Sequence, residues 1–253
     1  MNYPLNQIPE RSTKPRLEGL SMIMDKGLSV RQAEDLVSVA APHIDVIKLG
    51  WATSAVTQNL ESKLAVYRQA GIPTYLGGTM LEAFYIRGQI EDYKRVLDKY
   101  KITHVEVSDG SIDISSEDKC ALIRDLSKDF TVLSEVGSKN PDVVLPPSKW
   151  IQMMQQELEA GSWKVIAEAR ESGTVGMFRG DGKVRSDLIE EIMQAIPPEK
   201  IIWEAPQKSQ QVWFIKLIGT NVNLGNIAPN EAIPLETLRL GLRGDTFHTF
   251  LKA

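Results

Sequence analysis

Three glutamates stand at matching places in the chain. Glu135, Glu168 and Glu204 each close a short apolar run of strand length, and each is followed by a cation: Lys139, Arg170 and Lys208. Glu171 adds an acid beside Arg170. Other apolar runs end in the same way. Asp25 and Lys26 close the first, Lys48 the second, Glu106, Ser108 and Asp109 the fourth, and Asn223 and Asn226 the last. An isolated buried carboxylate is costly, so several together must share a cation or pair with lysine and arginine. With 3 histidines and 1 cysteine in the chain, a nitrogen or sulfur metal site is hard to build. Oxygen ligands and a hard cation such as Mg2+ are favoured. A ring of carboxylates beside lysine suits enolate chemistry: the cation stabilises the enolate oxygens while a lysine moves a proton. Glu135, Glu168 and Glu204 are therefore the candidate metal ligands, and Lys48, Lys139 and Glu171 the candidate catalytic groups. For any one of these acids, a structural salt bridge accounts for it equally well.

A second group is basic and glycine-rich, running from Leu235 to Thr246. Arg239 and Arg243 are four apart and would share a face of a helix. A phosphate site late in the chain would use them together with backbone N–H groups. The alternative is that they cap or bridge a C-terminal helix. Arg170, Lys208, Arg239 and Arg243, with Asn223 and Asp25, make up the candidate substrate-binding set. Glu171-Ser172-Gly173-Thr174 could form an anion nest. Gly77-Gly78 reads as a tight turn, with close ligand approach as its second role. The tryptophans share no spacing and read as packing, and neither His43 nor His104 reads as catalytic.

These groups need elements to position them. Eight strand-length runs alternate with segments of helical periodicity: 20–25, 45–50, 73–77, 103–108, 130–136, 164–170, 200–204 and 221–225. The helical segments include 31–41, where Ala33, Leu36, Val37 and Ala40 recur at helical spacing, and 59–69, followed by Gly71 as a C-cap. Strand alternating with helix implies βαβ units and a parallel sheet. Eight units in 253 residues fit a closed (β/α)8 TIM barrel, which takes about 250 residues, better than an open doubly wound sheet. The chain reads as one domain, 1–253, with residues 1–19 covering the barrel bottom. Barrel active sites lie where strands end, which is where the charges were found.

The composition is ordinary for a globular chain: 42% hydrophobic, 25% charged, formal net charge −4. An acidic total argues against a nucleic-acid or anionic-membrane partner. A lone Cys120 forbids an intrachain disulfide. Residues 1–16 carry no apolar signal segment, and no run is long enough to span a bilayer. The expectation is a cytoplasmic enzyme acting on small anions through a local basic pocket.

The motifs resemble the phosphosulfolactate synthase family. The matching phrases run in order through nearly the whole chain: Lys14-Pro-Arg16, Asp25-Lys-Gly27, Val46-Ile-Lys-Leu-Gly-Trp51, Gly77-Gly-Thr79, Glu106-Val-Ser-Asp-Gly-Ser111 and Ser134-Glu-Val-Gly137. They continue through Glu168-Ala-Arg-Glu-Ser-Gly173, Trp203-Glu-Ala-Pro-Gln-Lys-Ser-Gln-Gln211, Asn221-Val-Asn-Leu-Gly-Asn226, Leu235-Glu-Thr-Leu-Arg239 and Gly241-Leu-Arg-Gly-Asp-Thr246. The resemblance implies a Mg2+-dependent carbon–sulfur lyase that adds sulfite to phosphoenolpyruvate, giving (2R)-phospho-3-sulfolactate. It implies Mg2+ on Glu135, Glu168 and Glu204, protonation of C2 by Lys139, and anion binding by Arg170, Lys208, Arg239 and Arg243, with Lys48 able to serve either task. In methanogens the product leads to coenzyme M; similar bacterial proteins are linked to sulfolactate and plant relatives to heat tolerance. Family members carry two lysines after the Glu-Val-Gly phrase, whereas this chain has Ser138-Lys139, which leaves Lys139 as the candidate donor. A homo-oligomer is the expectation for this class of barrel. Two other readings stay open: a Schiff-base aldolase using Lys48 or Lys139, and a non-catalytic, stress-related barrel.

Overall fold

A computed structural model describes residues 1–137, 145–169 and 172–251. Its strands are β1 Ser21–Asp25, β2 Val46–Leu49, β3 Thr74–Leu76, β4 His104–Val107, β5 Thr131–Val136, β6 Lys164–Ala167, β7 Ile201–Glu204 and β8 Leu224–Ile227. The helices between them are α1 Val30–Ala40, α2 Leu60–Gln69, α3 Gly78–Tyr85, α4 Ile90–Tyr100, α5 Ser116–Leu126, α6 Pro147–Glu159, α7 Ser186–Ala195, α8 Lys208–Ile218 and α9 Ala232–Arg239. All strand pairs are parallel, in the hydrogen-bonded order β3-β2-β1-β8-β7-β6-β5-β4. β4 lies beside β3, so the sheet comes round on itself as a (β/α)8 barrel.

Strand alternation builds the barrel in layers. Side chains two apart point to the same face. Leu20, Met22, Val46, Tyr75, Leu133, Ile166 and Ile202 fill the lower interior as one apolar cluster, with Trp163 packed against it. Each such aliphatic group stabilises by about 1.5–3 kcal/mol on burial. Two residues further along, the same inward parity delivers Lys48 above Val46, Glu135 above Leu133, Glu168 above Ile166 and Glu204 above Ile202. The outward set, including Ile23, Ile47, Val105, Val165 and Trp203, packs under the helices as the larger core.

The helices begin where local chemistry allows. Ser29 and Gln32 form a reciprocal capping box that starts α1, and Ser115 accepts from the Asp118 amide to start α5. α3 and α4 are two helices between β3 and β4 that the periodicity did not mark, because Gly77-Gly78 reads as a turn. Gly77 is in fact the N-cap residue of α3.

The N-terminal segment crosses the end of the barrel where the strands begin. Arg11 donates to Glu236 and to the Thr220 and Gly19 carbonyls. Arg16 pairs with Asp45 at 2.9 Å, and the Lys164 ammonium donates to the Leu17 carbonyl.

Candidate active site

At the opposite end, where the strands finish, a cavity of about 150 Å3 opens. Its wall holds Glu106, Glu135, Glu168 and Glu204 together with Lys48, and Trp51, Thr79, Ser111 and Asn226 complete its polar edge. Glu135, Glu168 and Glu204 come from three consecutive strands. Each offers a carboxylate oxygen, and these oxygens all lie within 4.8 Å of one another. The three are 5%, 2% and 1% exposed, so the charges are held out of water.

Lys48 is the cation at the centre. Its Nζ is 2.9 Å from Glu106 Oε2 and 3.4 Å from both Glu135 Oε2 and Glu204 Oε1. Burial alone would lower its pKa, but Glu106, Glu204 and Glu135 outweigh burial and hold it well above the usual lysine range. Burial pushes the Glu204 carboxyl up to about 7; Lys48 opposes that rise and Glu135 adds to it. The Ala169 amide donates to Glu204 Oε2 at 3.0 Å. Below this layer, burial and then Glu106 push the Tyr75 phenol well above its ordinary value.

The wall therefore carries four carboxylates and one lysine among its described residues. Carboxylates grouped so closely suit a bound cation, and the all-oxygen donor set suits a hard one. Glu135, Glu168 and Glu204 fit Mg2+ on that test, with Lys48 and Glu106 forming their own close pair.

Neighbouring elements hold these side chains in place. The Gly78 amide donates to Glu106 Oε1 at 2.7 Å, across the seam between β3 and β4. A Cβ on Gly78 would fall 2.0 Å from Ser108 Oγ, so this position must be glycine. Gly137 follows β5 at φ +139°, where a Cβ would strike Glu168 Cβ and the Trp150 ring, each at 2.7 Å. Glu82, buried on α3, accepts from the Gly110 and Ser111 amides and from the Ser108 hydroxyl, which ties down the loop after β4. Lys119 reaches from α5 to donate to the Glu135 carbonyl at 2.7 Å, and it pairs with Glu157 and Asp109.

A family model described as (2R)-phospho-3-sulfolactate synthase (ComA) matches residues 9–245. The phosphosulfolactate synthase of Methanothermobacter thermautotrophicus is 41% identical over 244 residues, covering 94% of this chain and 95% of that protein. That of Bacillus subtilis is 39% identical, covering 95% and 97%. That of Methanocaldococcus jannaschii is 44% identical over 235 residues, covering 90% and 94%. The chain belongs to the phosphosulfolactate synthase family. Solved structures that share its fold include 3-hexulose-6-phosphate synthase from Salmonella typhimurium, at TM-score 0.55 and 12% identity, covering 88% of this chain and 100% of that one. Another is 3-keto-L-gulonate-6-phosphate decarboxylase from Vibrio cholerae, at TM-score 0.54 and 11% identity, covering 93% and 100%. These two speak for the barrel alone.

Within this phosphosulfolactate synthase fold, the sequence-derived residues divide sharply. The structure brings Lys48, Glu135, Glu168 and Glu204 into one cavity. Lys139, Arg170 and Glu171 lie outside the described residues. Three of the expected substrate contacts are corrected. Arg239 is fully buried and donates to the Thr220, Val222 and Leu20 carbonyls, which places it at the strand-entry end, away from the cavity. Asn223 precedes β8 instead of ending it. It accepts from the Leu20 amide and donates to the Glu199 and Ile201 carbonyls at that same entry end. Asp25 does end β1 but faces outward. It takes the Lys63 ammonium at 2.8 Å, the Tyr67 hydroxyl at 3.0 Å and the Gly27 and Leu28 amides.

Lys208 opens α8 and pairs with Asp245 at 3.0 Å, in the open rather than in the cavity wall. Arg243 shares no helix face with Arg239, because α9 stops at Arg239. Sequence reasoning placed Glu106 at the end of the fourth run but gave it no role, and it passed over Glu82 and the start of α3. Strand parity was the available signal for Glu106: it lies two residues from His104 and Ser108 on the inward face of β4. Among the described residues, no helix is long and apolar enough to cross a membrane.

Proposed function

We propose that this chain is a phosphosulfolactate synthase that joins sulfite to phosphoenolpyruvate, acting as a carbon–sulfur lyase in its bond-forming direction. The observation that carries the reading is the cluster of Glu135, Glu168 and Glu204 around one cavity at the strand ends, in a chain of this family. In the reaction, the sulfur lone pair attacks C3 of phosphoenolpyruvate. The C2–C3 π pair moves towards C2 and the adjoining carboxylate, and C2 then takes a proton. Mg2+ held by Glu135, Glu168 and Glu204 would supply charge stabilisation at that carboxylate.

The protein's own groups do the rest. Lys48 stays protonated among its carboxylates and serves as a fixed cation facing the substrate. Its raised pKa also disfavours the Schiff-base reading, which needs a neutral amine. The Gly78–Glu106 and Lys119–Glu135 hydrogen bonds keep the wall rigid, so little reorganisation accompanies the reaction. Lys139 is the proposed proton donor to C2. The reading carries a cytoplasmic enzyme of small-molecule metabolism with it.

The test is incubation of purified protein with phosphoenolpyruvate, sulfite and Mg2+, followed by phosphorus NMR and mass spectrometry. Phosphosulfolactate should appear, and chelation should stop it. Unconsumed phosphoenolpyruvate at saturating substrate and metal would overturn the proposal.

A further inference from the structure

The end of β8 breaks several local rules at once. Ser21 pairs with Leu224 and Ile23 with Ile227, so β8 carries one residue more than β1 between those pairs. That is a bulge, a device that re-aims a side chain. Inside it, Asn226 adopts φ +56°, a left-handed conformation in which asparagine is one of the few tolerated side chains. Its amide leaves the ladder and turns to the Met22 sulfur at 3.4 Å. Its side chain lines the active-site cavity. Asn226 is 5% exposed, yet its Oδ1 is fully enclosed with no hydrogen-bond partner among the described residues. A buried amide oxygen without a partner is costly. The bent strand holds this side chain at the cavity at the cost of an unsatisfied amide oxygen. Because Oδ1 is enclosed, the N–H end of the amide is the one on the cavity side.

We infer that Asn226 is a substrate-contacting residue whose carboxamide N–H donates to the carboxylate of the three-carbon phosphorylated acid. This rests on the proposed function and adds a residue to it. Glu204 pairs in register with Gly225, so Asn226 stands next to one of the three clustered carboxylates. The substrate carboxylate that gathers charge belongs at that cluster. A neutral donor there stabilises the charge without adding another ion to a wall already rich in them.

The test compares wild type with Asn226→Gly and Asn226→Asp. Glycine keeps the left-handed backbone and deletes only the amide, so a merely structural role predicts a stable, fully active protein. The contact predicts a stable protein whose kcat falls by about 10²–10³-fold, with Mg2+ affinity by calorimetry unchanged. Asn226→Asp, which puts an anion where the donor stood, should fall further. Asn226→Gly turnover within about threefold of wild type overturns the inference, as does a loss matched by equal loss of Mg2+ affinity. If wild type makes no product, the proposed reaction fails while this inference is still read by calorimetry. Phosphoenolpyruvate with Mg2+ should then bind Asn226→Gly at least about tenfold more weakly than wild type, and equal affinities overturn the contact.

Discussion

Lys48 Nζ and Glu106 Oε2 face each other at 2.9 Å across the barrel mouth, on side chains 7% and 1% exposed. Glu106 spends its other oxygen on the Gly78 amide. The pair thus couples the charge of the cavity to the β3–β4 seam.

Replacing Lys48 with methionine takes the buried ammonium away from Glu106 and also from Glu135 and Glu204. Breaking a buried pair in that way costs about 3–5 kcal/mol. The urea midpoint of the metal-free variant should fall accordingly, and added Mg2+ should raise it by more than it raises wild type. A midpoint equal to wild type would mean that the carboxylates do not depend on Lys48.

Gly78→Ala would place a methyl 2.0 Å from Ser108 Oγ and 2.6 Å from Ser108 Cβ. Overpacking of this kind costs about 1–3 kcal/mol. Adding Ser108→Gly removes both of those clashes, so the double variant should be more stable than the two single losses predict when summed. Thermal unfolding of all four proteins measures the coupling, and strict additivity would refute the clash.

Arg239→Met separates the entry end of the barrel from the mouth. It strips donors from three carbonyls, two of them in buried hydrogen bonds, so stability should drop by about 3 kcal/mol. KM for phosphoenolpyruvate should stay within about twofold of wild type. A stable variant with a tenfold higher KM would return Arg239 to the substrate site.

Burial lowers the His104 imidazole to about 4 from 6.5. The unfolded chain takes that proton more readily than the folded one. The contribution of His104 to stability is therefore complete above pH 6.5 and is lost as the pH falls through 4. Denaturation midpoints at pH 7, 5 and 4 should fall more steeply for wild type than for His104→Gln. Parallel curves for the two proteins would show that His104 is protonated equally in both states.

Much of this was legible in the sequence. Alternation within β5, β6 and β7 places an apolar residue inside and a glutamate above it, and period 2 survives any fold that closes the sheet. The same logic fails at β8. The sequence suggests 221–225, but the strand is Leu224–Ile227. Val222 and Leu224 look alike as apolar positions, and only the entry-end bonds of Asn223 decide which polar residue belongs to which end. Charge has the same ambiguity. Arg239 beside a glycine-rich tail resembles an anion clamp, while its partners are backbone carbonyls from the approaches to β1 and β8. Those partners are remote in the chain and leave no local trace. Asn226 stood in plain view, but a bulge that re-aims it follows from strand register, which no single segment encodes.

The Arg11–Glu236 pair spans 225 positions of the chain. Arg11 cannot complete its contacts on the barrel until α9 exists to receive it. During synthesis, this one contact must therefore wait until nearly the whole polypeptide has left the ribosome. Closing so long a loop comes late and slowly. A chain stopped short of Glu236 would carry a finished mouth on a barrel whose base lacks this one lock, and proteases should cut such products first near their N-terminus.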